Sequence, residues 1–173
     1  LPDINIPESI NIKDEILPCL ANSSVVLLCV KSSGFKKIAA ELNNHMGPEQ
    51  KLIWATKGLD PDTGETFSET IKKKMPSLNK TAIISGPTFA EEVAKGKPTA
   101  ITLASENIQE LSGLASIMSS SLFRVYTSND IVGVQLGGAF KNIIAIAAGA
   151  SDALSLGANA RTALISRGLE EMK

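Results

Sequence analysis

The predicted fold depends most on the segment DIVGVQLGGAFKNIIAIAAGASD, residues 130–152. Between its two terminal carboxylates the only charged residue is Lys141, and nearly all the others are apolar or small. A helix that is apolar around its whole circumference is usually buried, so the segment predicts a buried helix. Gly137 and Gly138 lie inside it. Because a glycine costs a helix about 1 kcal/mol relative to alanine, the pair indicates close approach of a ligand or of another helix.

Three interpretations of Lys141 remain open from the residues alone. Its aliphatic stem could pack on apolar surface while the ammonium group reaches water. The segment is also long enough to span a membrane. Lys141 and Asn142 would then lie near the middle of the bilayer, so no membrane span is predicted. Alternatively, a lysine taken out of water can titrate near neutral pH and act in catalysis. Gln135, Gly138 and Asn142 fall on one face of the helix, beside Lys141.

The composition argues against several classes of protein. The chain has 173 residues, of which 43% are hydrophobic, enough for a substantial core. A net charge of -1 argues against a broad nucleic-acid-binding surface. His45 is the only histidine and Cys19 and Cys29 are the only cysteines, so neither a metal site nor a disulfide framework is predicted. No signal or transit peptide is visible, and the chain opens on LPDINIP. We therefore expect a cytoplasmic protein, and a chain that starts within a longer one.

Upstream of residue 129, short apolar runs alternate with helical patterns. VVLLCV at residues 25–30 is wholly apolar, as in a parallel strand that is covered on both faces. Strands are predicted at residues 10–12, 25–30, 52–55, 81–84, 98–104 and 123–126, and helices at 13–22, 35–44, 67–74, 108–119, 130–150 and 159–173. Another helix is predicted to start at Thr88, which has capping-box spacing to Glu91. The alternation predicts the α/β class, with a doubly wound sheet domain that ends near residue 129.

Polar and small residues follow three of the predicted strands. Ser32 comes after the first long strand, Lys57 after the next, and the turn at residues 86–88 after the third. In doubly wound sheets, ligands bind at the carboxyl ends of the strands. The sequence therefore predicts that these residues share one rim of the sheet, against which the helix that carries Lys141 would pack.

Four blocks of the chain resemble one known family, NAD(P)-dependent glycerol-3-phosphate dehydrogenase of the bacterial type. The blocks are LIWATKGL (52–59), IISGPTFAEEVAKGKPTA (83–100), FRVYTSNDIVGVQLGGAFKNIIAIAAG (123–149) and GANARTALISRGLEEM (157–172). The resemblance implies an oxidoreductase that interconverts dihydroxyacetone phosphate and glycerol 3-phosphate for glycerophospholipid synthesis. It also implies that residues 1–128 are part of a Rossmann-like dinucleotide-binding domain and that residues 129–173 begin an all-α, substrate-binding domain.

The resemblance assigns roles to single residues. Lys141 matches the catalytic lysine, which accepts the proton when the alcohol is oxidised. Lys57 matches a second lysine of the catalytic site, one that contacts both substrate and cofactor. Gly86, Thr88 and Asn142 match substrate contacts, which Lys57 and Lys141 share.

The resemblance also implies the cofactor and the partners. The cofactor would be NAD or NADP, with contacts at Lys57, Ala90 and Phe35, and no metal is implied. The expected partner is a small phosphorylated substrate, and the protein could form a homodimer. No nucleic acid and no membrane span are expected.

The chain departs from the family pattern at several positions. The family usually has proline at Lys31 and leucine at Phe140, and often has glutamate at Gln135. It begins with a glycine-rich dinucleotide-binding turn, but no G-x-G-x-x-G occurs here, and its GLGDL and SRN segments lie beyond the end of this chain. The chain is therefore predicted to be a middle piece that is not active by itself.

The residues leave two alternative functions open. One is another nicotinamide-dependent hydroxyacid or phosphogluconate dehydrogenase, although the TKG and SGPTFA motifs argue against it. The other is a non-catalytic nucleotide-binding module.

Overall fold

A sheet of five strands frames the molecule, which the computed structural model describes for residues 4–172 apart from the side chains of residues 110–112. The strands are β1 (Val25–Leu28), β2 (Lys51–Trp54), β3 (Thr81–Ser85), β4 (Thr99–Ala104) and β5 (Phe123–Ser128). The helices are α1 (Ile16–Leu20), α2 (Ser32–Asn43), α3 (Phe67–Lys74), α4 (Ala90–Ala94), α5 (Ser112–Met118), α6 (Ile131–Ala153) and α7 (Gly157–Glu170), and a 3-10 turn at Ile108–Leu111 precedes α5.

The strands are arranged in the order β1-β2-β3-β4-β5. Neighbouring strands are parallel except for β3 and β4, which are antiparallel. The connection between these two strands, residues 86–98, contains only the five-residue helix α4, which spans about 7–8 Å. The six residues of β4 span about 20 Å, so α4 by itself does not run the length of a strand, as the helix of a parallel crossover usually does. The predicted fold class is confirmed: part of a Rossmann-like sheet domain, followed by helices.

The sheet has a hydrophobic layer on each face. On one face Phe35 of α2 packs against Trp54 and Phe67, with ring centroids 6.2 and 4.2 Å apart, and all three side chains are buried. On the other face Ile53 packs in a cluster that includes Ala115 of α5. Because successive residues of a strand point to opposite faces, Ile53 and Trp54 serve different layers. This explains why β2 is apolar along most of its length.

Most predicted elements are present, with ends that differ by a few residues. The strand predicted at residues 10–12 is wrong, since this stretch is irregular in structure. Ile10 and Ile12 are exposed, and no strand pairs with them, so neither burial nor a ladder of hydrogen bonds supports a strand there. The last helix, α7, ends at Glu170, and Lys173, which was predicted to be helical, lies outside the described residues. The division after residue 128 stays a prediction.

The predicted capping box at Thr88 is also wrong. Helix α4 begins at Ala90, its N-cap is Phe89, and no side chain caps it. A capping box does form at α3, where Thr66 and Glu69 satisfy each other's backbone N–H groups. Both segments have a glutamate three residues after a threonine. Thr66 is the N-cap of α3, but Thr88 lies one residue before the N-cap of α4 and so cannot cap that helix.

Helix α6 is not buried around its whole circumference, contrary to the prediction. Its buried residues near the sheet are Ile131, Gln135 and Gly138, which form one stripe along the helix. Several large apolar side chains on its other faces are exposed, among them Ile143 and Ile146. By length and composition α6 could cross a membrane, a property that it shares with core helices of soluble proteins and that does not establish a membrane span.

Gln135 fixes α6 to the N-terminus of α3. Its Oε1 accepts a hydrogen bond from the backbone N–H of Ser68 (3.0 Å), and its Nε2 donates to the Ser68 hydroxyl (2.8 Å) and to the carbonyl of Ile131 (3.1 Å). Gln135 and Ser68 are both buried. The side-chain amide thus satisfies one of the N–H groups that every helix N-terminus leaves unpaired.

The corner between α6 and α7 contains a strained residue. Ser155 has a φ of 53°, in the left-handed region, and Gly157 follows with a φ of 87°. The two helices then run close together, since a Cβ added to Gly168 would lie 2.7 Å from the side chain of Ile144. An ion pair between Arg161 and Asp152 (3.5 Å) spans the same corner.

We expect Gln135→Met to lower the free energy of unfolding by about 2 kcal/mol, because it leaves the buried Ser68 N–H without a partner and removes one of the two hydrogen bonds of the Ser68 hydroxyl, which keeps its contact with Thr66. Chemical denaturation measures the change. Asn142→Met is the matched control, since Asn142 is exposed on the same helix, and it should change stability by less than about 0.5 kcal/mol. The double variant Gln135→Met/Ser68→Ala should lose less free energy of unfolding than the two single variants lose together. If the two losses simply add, the proposed contact between Gln135 and Ser68 is contradicted.

Ser155→Gly should raise the free energy of unfolding by about 0.5–1 kcal/mol. The left-handed conformation costs a non-glycine residue about 1–2 kcal/mol. Part of that gain is offset by the greater freedom of glycine in the unfolded chain, about 0.4–1 kcal/mol. Thermal denaturation tests the change, with Ser155→Val as a destabilising comparison. A destabilised glycine variant would show that the serine hydroxyl outweighs the backbone strain.

Candidate active site

A cleft of about 320 Å³ lies where α6 crosses the carboxyl end of β3. The structure brings together in it three predicted site residues that are far apart in sequence: Lys57, Gly86 and Lys141. The cleft is lined by Lys57, Ser85, Gly86, Pro87, Thr102, Gly133, Val134, Gly137, Gly138 and Lys141. The rim of the sheet and the lysine of α6 therefore share one site, as the strand-end argument requires.

Lys57 is held by the turn that follows β3. It lies three residues beyond the end of β2, and its Nζ donates a hydrogen bond to the carbonyl oxygen of Gly86 (3.2 Å). Gly86 in turn lies against β4, because an added Cβ would come within 2.6 Å of the Ala100 carbonyl oxygen and 2.9 Å of the Ile101 Cα. Only glycine fits there without a backbone shift, so this turn has a fixed position.

The adjacent glycines Gly137 and Gly138 of α6 have different roles. An added Cβ at Gly138 would lie 3.3 Å from the Ser85 hydroxyl and 3.8 Å from Lys57, so this glycine lets α6 approach the sheet closely. An added Cβ at Gly137 would meet nothing within 4 Å, and Gly137 lines the cleft. The close approach that the sequence indicated is therefore to the end of a strand, while Gly137 leaves open space beside Lys141.

The cleft is electropositive. Two lysines line it and no carboxylate is among the lining residues. Burial lowers the pKa of Lys57 from its usual value, and the nearby charge of Lys141 lowers the pKa further. Lys141 is exposed, and its Nζ lies 5.9 Å from the centroid of the Phe89 ring. The site is therefore suited to an anionic ligand.

A second, mainly apolar cavity of about 380 Å³ borders the first. It is lined by Ala55, Lys57, Ile84, Ser85, Gly86, Thr88, Ala90, Val93, Ala94, Ile101 and Phe123. Ile101 lines this cavity and its neighbour Thr102 lines the cleft, so the two spaces lie on opposite faces of the sheet. They meet at Lys57, Ser85 and Gly86, which line both.

The remaining predicted site residues lie in different surroundings. Thr88 and Ala90 line the apolar cavity rather than the cleft. Asn142 is exposed and is not among the lining residues of either space. Phe35 has no exposed surface and packs in the core. The structure gives Phe35 a packing role, and its predicted contact with a cofactor would require the ring to become exposed.

Two positions at which the chain departs from the family pattern keep an ordinary geometry. Lys31 is the N-cap of α2 with a φ of -62°, close to the value that proline imposes, so the turn does not need proline. Gln135 contacts the start of α3 and does not line the cleft, so a glutamine at this position leaves the lining of the cleft unchanged.

Sequence reasoning missed three residues near the cleft as individual site candidates. Ser85 and Thr102 are partners in the antiparallel register of β3 and β4, and both line the cleft. Alternation of polar and apolar residues along β4 could have indicated Thr102. Nothing local indicated Phe89, which stands out only because the ammonium group of Lys141 lies over its ring.

Comparisons with known proteins agree on one family. Residues 1–111 match the model for the NAD-dependent glycerol-3-phosphate dehydrogenase N-terminus, and residues 130–173 match the model for its C-terminus. Glycerol-3-phosphate dehydrogenase [NAD(P)+] of Pasteurella multocida is 46% identical over 173 residues, covering 99% of this chain and 51% of the relative. The protein of that name from Mannheimia succiniciproducens is also 46% identical, covering 99% of this chain and 52% of the relative.

A solved structure supports the same assignment. The crystal structure of glycerol-3-phosphate dehydrogenase from Coxiella burnetii matches with a TM-score of 0.92 and 38% identity, covering 99% of this chain and 52% of that one. The chain spans about half the length of the relatives it matches. With both family models matched in order, the chain belongs to the NAD-dependent glycerol-3-phosphate dehydrogenase family.

Proposed function

We propose that the full protein interconverts dihydroxyacetone phosphate and glycerol 3-phosphate with NADH or NADPH, for glycerophospholipid synthesis. The observation that carries the proposal is the pair Lys57 and Lys141 in one cleft without a carboxylate lining, in a chain of this family. A substrate that bears a phosphate offsets the repulsion between the two ammonium groups. The same charges raise the local concentration of an anionic substrate.

Lys57 and the turn at Gly86 serve to hold the substrate. The hydrogen bond to the Gly86 carbonyl fixes the Lys57 ammonium group at the junction of the two cavities. Thr88, two residues later, borders the apolar cavity and adds a hydroxyl group near that junction. Asn142, next to Lys141, keeps its proposed substrate contact, which requires the substrate to extend towards the exposed face of α6.

Lys141 serves as the proton-transfer group. Negative charge develops on the carbonyl oxygen when the ketone is reduced, and an ammonium group beside that oxygen stabilises the charge and donates the proton. In the oxidation direction the amine accepts the proton from the alcohol. The open space beside Gly137 leaves room for the reacting carbon atoms next to the lysine.

The chain's own residues fit one end of a nicotinamide cofactor. The apolar cavity is large enough for an aromatic ring, and it meets the cleft at Lys57. Lys57 and Ala90 would hold NAD or NADP there, and the cofactor would supply the hydride. Phe35 is left out of this set because its ring is fully buried.

The remaining expectations concern location and assembly. We infer a cytoplasmic location, in keeping with a nicotinamide-dependent enzyme that acts on small phosphorylated metabolites. A homodimer stays a prediction. The family match, and not the lining of the cleft, argues against a different hydroxyacid dehydrogenase.

Lys141→Met in the full protein should lower turnover by about 10²–10⁴-fold and leave cofactor binding intact, because it removes the proton and the charge but keeps the stem. Lys141→Arg should rescue little, since arginine keeps the charge but does not release a proton near neutral pH. Steady-state kinetics with dihydroxyacetone phosphate and a cofactor titration measure both effects. Lys37→Met, at an exposed lysine of α2, is the matched control.

The two variants separate the possible roles of Lys141. Near-normal turnover in the arginine variant would make Lys141 a charge anchor and leave the proton to another group. Near-normal turnover in the methionine variant would overturn the proposed function. A full protein with wild-type Lys141 that binds nucleotide but turns over no ketone would favour the non-catalytic module.

Lys141→Met should also raise the pKa of Lys57, because it removes the second cause of the lowered value; burial, the larger cause, remains. Lys141→Arg should leave the Lys57 pKa nearly unchanged. A pH titration followed by side-chain NMR measures the pKa of Lys57. The Lys57 signal is assigned by its absence from the spectrum of Lys57→Arg. An equal Lys57 pKa in the methionine and arginine variants would show that the two ammonium groups do not interact.

The lowered pKa of Lys57 also fixes a pH trend in stability. At pH values between the folded and the unfolded pKa of Lys57, the unfolded chain binds more protons than the folded one. The free-energy cost of holding a charged Lys57 in the folded protein therefore shrinks as the pH rises through that range. Lys57→Met should therefore be more stable than wild type at neutral pH, and this advantage should disappear above about pH 10.4, the ordinary lysine value. An advantage independent of pH would point to packing instead of charge.

A further inference from the structure

Phe89 is a large apolar side chain that packing does not account for. The residue is 69% exposed, and the short helix that it precedes, α4, has no buried residue. Neither hydrophobic cluster of the described residues includes it. Among the residues that the structure describes, its ring interacts with the side chain of Lys141, whose Nζ lies 5.9 Å from the ring centroid. An ammonium group within about 6 Å of a ring face is attracted by the ring's quadrupole.

Lys141 has no charged partner among the described residues of the chain, in which seven other Lys or Arg side chains form ion pairs. The ring of Phe89 is the neighbour that takes the place of a carboxylate. A carboxylate at that position would neutralise the cleft and repel a phosphorylated substrate. A ring attracts the ammonium group by only about 0.5–1 kcal/mol at an exposed site and adds no net charge, so the cleft stays positive.

The same turn holds both lysines. Gly86 accepts the hydrogen bond of Lys57, and Phe89, three residues later, lies under the ammonium group of Lys141. The base of the turn is fixed because Gly86 lies directly against β4. The distance between the two ammonium groups therefore depends on one short segment, although Lys57 and Lys141 lie on separate elements.

We propose that Phe89 is a positioning residue, whose ring face holds the Lys141 ammonium group at the mouth of the cleft. This inference rests on the proposed role of Lys141 in proton transfer. The ring restricts a flexible four-carbon side chain to the conformations that reach the reacting oxygen. Because the attraction is weak, the substrate can still draw the ammonium group away.

A fluorination series at position 89 tests the electrostatic part of the proposal. Replacement of Phe89 in the full protein by its mono-, di- and trifluoro derivatives weakens the ring quadrupole stepwise with little change of shape. We expect kcat with dihydroxyacetone phosphate to fall stepwise, to between about one half and one fifth of the wild-type value, which corresponds to 0.5–1 kcal/mol. KM for the cofactor should stay unchanged. Phe89→Leu should behave like the most fluorinated ring, and Phe89→Trp should retain activity.

Phe140→Leu is the matched control, since Phe140 is an exposed aromatic residue on α6 whose ring does not lie over the Lys141 ammonium group. It should leave kcat unchanged. Side-chain NMR gives a second readout that does not need turnover, because Phe89→Leu should remove the ring-current shift of the Lys141 side chain and Phe140→Leu should not.

The possible failures can be told apart. If Lys141→Met abolishes turnover while kcat is flat across the fluorination series, the positioning role of Phe89 is wrong and the proposed function stands. If Lys141→Met retains turnover, the proposed function fails whatever the series shows. Equal losses from Phe89→Leu and Phe140→Leu would also overturn the inference, because they would show a general effect of apolar surface near α6.

Discussion

The close contact between α6 and the carboxyl end of β3 is the constraint on which the candidate site depends. Gly138 allows the helix to approach Ser85, since an added Cβ would lie only 3.3 Å from the serine hydroxyl. Lys141 lies three residues after Gly138 on the same helix and lines the cleft. The distance between α6 and the sheet therefore also sets the position of Lys141. Gln135, on the same buried stripe of the helix, fixes the rotation of α6 through its hydrogen bonds to the start of α3. The helix is thus held at two points along one stripe.

The second organising feature is the positive charge of the cleft, which no carboxylate among its lining residues neutralises. Ion pairs elsewhere in the described residues lie on the exposed surface, where each contributes little to stability. In the cleft, Lys57 and Lys141 instead lie close enough for their positive charges to repel each other. This repulsion adds to the effect of burial in lowering the pKa of Lys57. Neutral groups hold them, a carbonyl oxygen at Gly86 and a ring at Phe89. Such an arrangement keeps the lysines in place and leaves their charge available for a phosphorylated ligand.

The fold separates the site into two chemically different spaces. The alternation of side chains along β4 sends Thr102 to the polar cleft and Ile101 to the apolar cavity. Both spaces are reached from the end of β3, where the chain turns at Gly86. The antiparallel return of β4 brings this strand beside that turn, where Gly86 lies against Ala100 and Ile101. The direction of β4 therefore helps to shape the proposed substrate and cofactor sites.

The sequence by itself determined those features that depend on neighbouring residues. The bounds of α3 follow from local periodicity, and the start of α6 follows from the N-cap Asp130, whose side chain accepts a hydrogen bond from the Gly133 N–H. The strand-end position of Lys57 follows from the same kind of local pattern. Only the tertiary structure decided that α6 has one buried stripe, that Gln135 faces α3, and that the ring of Phe89 lies beneath Lys141. Those features are contacts between segments far apart in the chain, and neither periodicity nor capping specifies which face of one element meets another.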